Sequence, residues 1–130
     1  MYSYVKGGRY MIKWFNVKDR NGVASIYANN ITLNTTAMYP LDSAYRVQVG
    51  MDEKNNIIVK PYSKDVVESG VLDECCLLKI EIHKSFARIS SAQLIKQIGE
   101  ALRIEFVGKT QYDTKWDSVE NVLIINTGGK

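Results

Sequence analysis

Two neighbouring stretches decide the fold: Ile31-Thr32-Leu33-Asn34-Thr35-Thr36-Ala37-Met38-Tyr39-Pro40-Leu41, and then Tyr45-Arg46-Val47-Gln48-Val49-Gly50-Met51-Asp52-Glu53-Lys54-Asn55-Asn56-Ile57-Ile58-Val59-Lys60-Pro61. Ile31-Thr32-Leu33 reads as a short strand. Asn34 or Thr35 can accept the free amides of a brief helical turn reaching about Tyr39, and Pro40 bars a long helix from crossing it. From Tyr45 onward the alternation has period two, with Tyr45, Val47 and Val49 on one face and Arg46, Gln48 and Gly50 on the other. The polar run 52–56 is a turn, and Ile57-Ile58-Val59 returns as the second arm of a hairpin that Pro61 closes.

On the N-terminal side, residues 9–17 alternate as a strand, and Asp19-Arg20-Asn21-Gly22 supplies hairpin turn chemistry before a returning strand at 23–28. On the C-terminal side, residues 62–73 form a polar connector, the best boundary between units at 1–61 and 74–130 that share one core. Residues 77–82 read as one strand and 86–89 as another. A helix over about 90–101 follows, with Ser90 and Gln93 at capping-box spacing and Leu94, Ile95, Ile98, Ala101 and Leu102 on one face. Gly99 weakens it. Residues 103–107 are strand-like, a polar loop follows, and a strand at 122–125 precedes a frayed Gly-Gly-Lys tail.

The same order, short strand, capped helical turn, strand, polar turn, strand, thus occurs twice. Residues 31–34 align with 88–91, 45–49 with 102–106, and 56–59 with 121–124. The expected fold is mostly β (α+β), two βαββ-like units closing a small barrel with one clear helix.

Chain length and composition fit one globular domain: 130 residues, 45% apolar and 24% charged, which excludes a disordered or collagen-like chain. One histidine and two cysteines leave too few ligands for a structural zinc site or a disulfide framework. Cys75 and Cys76 are adjacent, so a mutual disulfide would be strained, and they read as reduced, buried thiols in a reducing cytosol. No apolar run has the length of a membrane span, and the start lacks the apolar middle of a signal peptide, so the expected location is cytoplasmic.

The net charge of +3 is unevenly spread, with residues 1–30 holding five Lys plus Arg against Asp19 alone. Lys6, Arg9, Lys13, Lys18 and Arg20 are therefore the candidate phosphate contacts, with Arg46 a possible neighbour. The competing reading is that these cations merely solvate a sheet face while Tyr2, Tyr4 and Tyr10 pack beneath it. His83, beside Glu81 and Lys84, reads as a surface residue with no catalytic role. Asp113, Asp117 and Glu120 read as a solvated loop, and Trp116 as an anchor of that loop to the core.

The cadence over 31–61 resembles the AbrB and SpoVT family of bacterial transition-state regulators. The paired arrangement over most of the chain looks like the MraZ proteins, which join two such units. Two departures stand out: Asn34-Thr35 replaces the family's proline after the first short strand, and Lys84 stands four residues before Arg88 where an acidic residue is usual. The resemblance implies a swapped-hairpin barrel, often oligomeric, that binds double-stranded DNA through basic residues. The expected function is non-enzymatic DNA binding or transcription regulation, with no cofactor, metal or catalytic residue. The alternative is a protein-interaction or assembly module on the same fold. A homo-oligomer joined through hairpin edges is expected in either case.

Overall fold

A computed structural model describes residues 2–4, 11–15 and 21–128 of the chain. Strands β1 (Tyr2–Tyr4) and β2 (Met11–Lys13) pair antiparallel as a separate two-stranded ribbon. This corrects the expected hairpin, because the strand at 11–13 returns onto Tyr2–Tyr4 and not onto 23–28. Strand β3 (Val23–Ile26) pairs instead with β4 (Asn30–Asn34), through a tight turn in which Tyr27 N–H donates to Asn30 O at 2.9 Å.

Beyond β4 the local signals act as written. Asn34 Oδ1 accepts from Ala37 N–H at 3.0 Å and caps α1 (Thr35–Met38), and Pro40 sits in the one-turn 3-10 segment Tyr39–Leu41 that follows. Strands β5 (Arg46–Met51) and β6 (Ile57–Tyr62) form the expected hairpin, its turn tied by Asp52 Oδ1 accepting from Lys54 and Asn56 N–H, both at 2.9 Å. Pro61 does not end β6 but lies within it, beyond the part of the strand that pairs with a second neighbour.

The connector holds a helix of its own, α2 (Lys64–Glu68), capped by Ser63. The expected strand at 77–82 is split into β7 (Leu77–Leu78) and β8 (Glu81–Ile82), which pair with β5 and with β9 (Phe86–Ser90) respectively. The helix α3 (Ala92–Leu102) starts two residues later than expected, and Ser91, not Ser90, caps it by accepting from Leu94 N–H at 3.0 Å.

Two further expectations fail next to α3. Residues 103–107 are not a strand, because Arg103 turns left-handed (φ 58°) to close the helix and Phe106 then folds down into the core. The polar stretch behind it is the longest strand, β10 (Thr110–Asp117), whose Thr110, Tyr112, Thr114 and Trp116 face inward while Gln111, Asp113 and Lys115 face out. Strand β11 (Val122–Ile125) completes a hairpin with β10. The tail is held as far as Gly128, whose N–H donates to Asn56 Oδ1 at 3.0 Å, and Gly129 and Lys130 lie outside the described residues.

Nine strands form one sheet in the order β7-β5-β6-β11-β10-β3-β4-β9-β8. Flat, eight inter-strand gaps would separate its edges by ~38 Å. The edge strands β7 and β8 are nevertheless joined by only Lys79 and Ile80, a link spanning at most ~11 Å. The sheet must therefore curl, and the molecule is mostly β with a half-barrel sheet. Inward side chains of β4, β6, β9 and β11, among them Ile31, Leu33, Ile57, Ile89, Leu123 and Ile125, are fully or almost fully buried, and α1 and α3 add Ala37, Met38, Ile95 and Ile98. Each such aliphatic side chain contributes about 1.5–3 kcal/mol of burial.

Inward parity also corrects the alignment of the two halves. Buried Ile31 and Leu33 match Ala87 and Ile89, and buried Ile57 and Val59 match Leu123 and Ile125, each one residue away from the pairing read off the sequence. The strand at 45–49 has no strand counterpart at 102–106. Among the described residues no helix is long and apolar enough to cross a membrane.

Candidate functional site

Of the six candidate nucleic-acid contacts, Lys6, Arg9, Lys18 and Arg20 lie outside the described residues. Lys13 is exposed at the end of β2. Arg46 opens β5 and is half-buried: its guanidinium carbon lies 4.2 Å from the centre of the Tyr45 ring, and Nη1 donates to Tyr45 O at 2.9 Å. Lys64, at the start of α2, places Nζ 6.0 Å from the same ring. Arg46 and Lys64 thus flank one tyrosine. Lys64 was missed in the sequence because the connector carries no periodicity, whereas the cap signal of Ser63 was there to be read.

A second cluster sits on the outer face of β8 and β9. Arg88 stands 5.0 Å from the Phe86 ring, and the His83 imidazole stacks on that ring at 4.5 Å with planes 22° apart. Glu81 Oε1 lies 3.7 Å from both Arg88 Nη1 and His83 Nε2. Beside them Tyr27, Asn30 and Thr32 help line a shallow pocket of about 370 Å3. His83 is exposed, as its place at a strand end predicts. Among the described residues, no three His, Cys, Asp or Glu side chains converge to hold a metal ion.

A comparison with protein families, curated proteins and solved structures finds no match. Charge is sharply divided along the chain. Residues 1–20 hold five Lys plus Arg against one Asp, a net +4, whereas residues 21–128 hold 11 against 13, a net −2.

The cysteines contradict their expected burial. Cys75 and Cys76 are exposed free thiols on the 3-10 segment Glu74–Cys76, which Asp73 caps by accepting from Cys75 N–H at 2.9 Å. That turn leaves both thiols at the surface, beside Gln48 and Val49 of β5. The Asp73 carboxylate pushes the Cys75 thiol above its ordinary value, so Cys75 is a poor nucleophile at neutral pH. Asp117 is likewise structural, accepting from Val119 and Glu120 N–H at 3.0 and 3.1 Å, and Trp116 is half-buried against the core as expected.

The same 3-10 turn leaves a gap along β5. Strand β7 covers only Val47 and Gln48, so the rest of that edge, Val49 to Met51, has no strand partner on this side. Beside it Val49, Met51, Leu94, Ile98 and Ala101 help line a mainly apolar pocket of about 170 Å3 between β5 and α3.

Proposed function

We propose that the protein is a non-enzymatic DNA-binding or regulatory module of AbrB/SpoVT type, built from two βαββ-like units in a swapped-hairpin barrel. Its phosphate contacts are Lys6, Arg9, Lys13, Lys18 and Arg20, with Arg46 as an adjunct on the barrel. The observation that carries this reading is the charge division: a barrel of net −2 repels a polyanion, and the segment of net +4 attached to it does not. The two-unit reading draws support from the recurrence of strand, side-chain-capped helix and hairpin in β4-α1-β5-β6 and β9-α3-β10-β11. Each hairpin turn is held by an aspartate, Asp52 or Asp117, and carries a left-handed asparagine, Asn55 or Asn121.

Duplex-DNA affinity measured across a salt series tests the proposal. Binding that weakens steeply with salt, and that Arg9→Ala, Lys13→Ala and Arg20→Ala together abolish, supports it; affinity unchanged in the triple variant overturns it. A second reading, an interaction or assembly module, is favoured by exposed aromatics: Trp14 (62% exposed), Tyr39 (73%) and Phe15 (81%). Passage through immobilised heparin at low salt would favour it.

A further inference from the structure

Two unsatisfied features of the molecule are complementary. The first is the open edge of β5. Asp52 N–H donates to Asn56 O at 3.0 Å, which places the even-numbered residues of β5 in hydrogen-bonded pairs with β6. Antiparallel alternation then turns the backbone N–H and C=O groups of Val49 and Met51 to the other side, where β7 has already ended. An unpaired edge of this kind accepts a further strand. The apolar pocket against α3 lies alongside it, ready to take a side chain from that strand.

The second feature is the β1–β2 ribbon. It is a sheet separate from the nine-stranded one, and among the described residues each of its strands pairs only with the other. A lone two-stranded hairpin is marginal in water and gains stability from a third strand. The residues that follow β2, Trp14 and Phe15, are exposed aromatics.

We infer that the ribbon of a second copy of this chain adds to the β5 edge at Val49 to Met51 and seats Trp14 or Phe15 in the pocket between β5 and α3, giving a reciprocal, arm-exchanged dimer. Charge complementarity identifies the occupant, because a segment of net +4 meets a barrel of net −2. The stretch of β10 beyond its pairing with β3 is not an equivalent acceptor, since Gly22 O already accepts from Thr114 N–H at 2.9 Å there. The inference stands independently of DNA binding.

Sedimentation of the full chain over a concentration series, with amide hydrogen exchange, tests it. The chain is expected to dimerise and the Val49 and Met51 amides to be protected in the dimer. Trp14→Ala with Phe15→Ala should return it to monomer and expose those amides. Ala101→Lys, on an exposed helix position lining the pocket, should do the same with an unchanged circular dichroism spectrum. The aromatic variant keeps every candidate cation, so retained DNA binding in a monomer separates this interface from the nucleic-acid reading. The inference is overturned by a chain monomeric at all concentrations, by a dimer that survives both variants, or by Val49 and Met51 protection in a monomer.

Discussion

Asn34 carries more of the local structure than its side chain's size suggests. Its Oδ1 accepts from both Ala37 and Val23 N–H at 3.0 Å, and Nδ2 donates to Asn21 O at 2.9 Å, so one amide caps α1 and ties it to the entry of β3. Asn34→Ala leaves three backbone groups to find other partners, and should lower the urea midpoint by an amount corresponding to about 2 kcal/mol. Asp52 plays a similar part in the first hairpin turn. The Asn56 N–H that donates to it holds its carboxyl below the usual value, with Lys54 N–H adding to the effect. A depressed folded pKa stabilises the fold above the unfolded value and loses that contribution as pH falls through the folded one. Wild type should therefore lose more stability than Asp52→Asn between about pH 5 and about pH 3, measured by thermal melts. Residue-level chemistry of this kind was largely legible: the Asn34 cap, the Asp52 turn and the surface His83 follow from side chains acting on their own neighbourhood. The burial expected for Cys75 and Cys76 fails, because cysteine's apolar preference gives way to a 3-10 turn, capped by Asp73, that leaves both thiols exposed.

Element boundaries depend on longer-range packing, and α3 shows how. In the sequence Gly99 looks like a weakness in a good helix, yet a Cβ there would stand 2.6 Å from Ile104 O. Gly99 is what lets the chain double back through Arg103 and drop Phe106 into the core. Gly99→Ala should thus destabilise by about 1–3 kcal/mol despite alanine's higher helix propensity. Arg103→Gly should raise the melting temperature, because the left-handed cap costs a non-glycine residue about 1 kcal/mol. The same packing hid β10 in the sequence. Its outward Gln111, Asp113 and Lys115 look like loop residues until the inward threonines, Tyr112 and Trp116 are seen to alternate with them. The strand expected at 103–107 failed for the opposite reason: alternating apolar residues serve a descending loop as well as a strand.

At the scale of the molecule, the class of fold and the β5–β6 hairpin were legible in the sequence, and the rest of the strand pairing was not. Period-two alternation marks a strand without marking its neighbour, so proximity alone favours a hairpin from 9–17 to 23–28, whereas β3 pairs with β4 and β10. The basic candidates Lys6, Arg9, Lys18 and Arg20 rest on charge alone and lie outside the described residues, and Arg46 and Lys64 both stand against the Tyr45 ring. Removing residues 1–20 takes the formal charge from +3 to −1 and should abolish retention on heparin while leaving the barrel's melting transition in place. Strands from the two halves alternate across the sheet, β6 against β11 and β4 against β9. Ile31 thus meets Ile89, and Ile57 meets Ile125, pairings that join positions roughly 60 residues apart and give the chain a high contact order. Loops that long must close before the sheet repays them, so refolding from urea should take milliseconds to seconds rather than microseconds. On the ribosome the β5–β6 hairpin must wait, with the second side of β6 unpaired, until Val122–Ile125 has emerged.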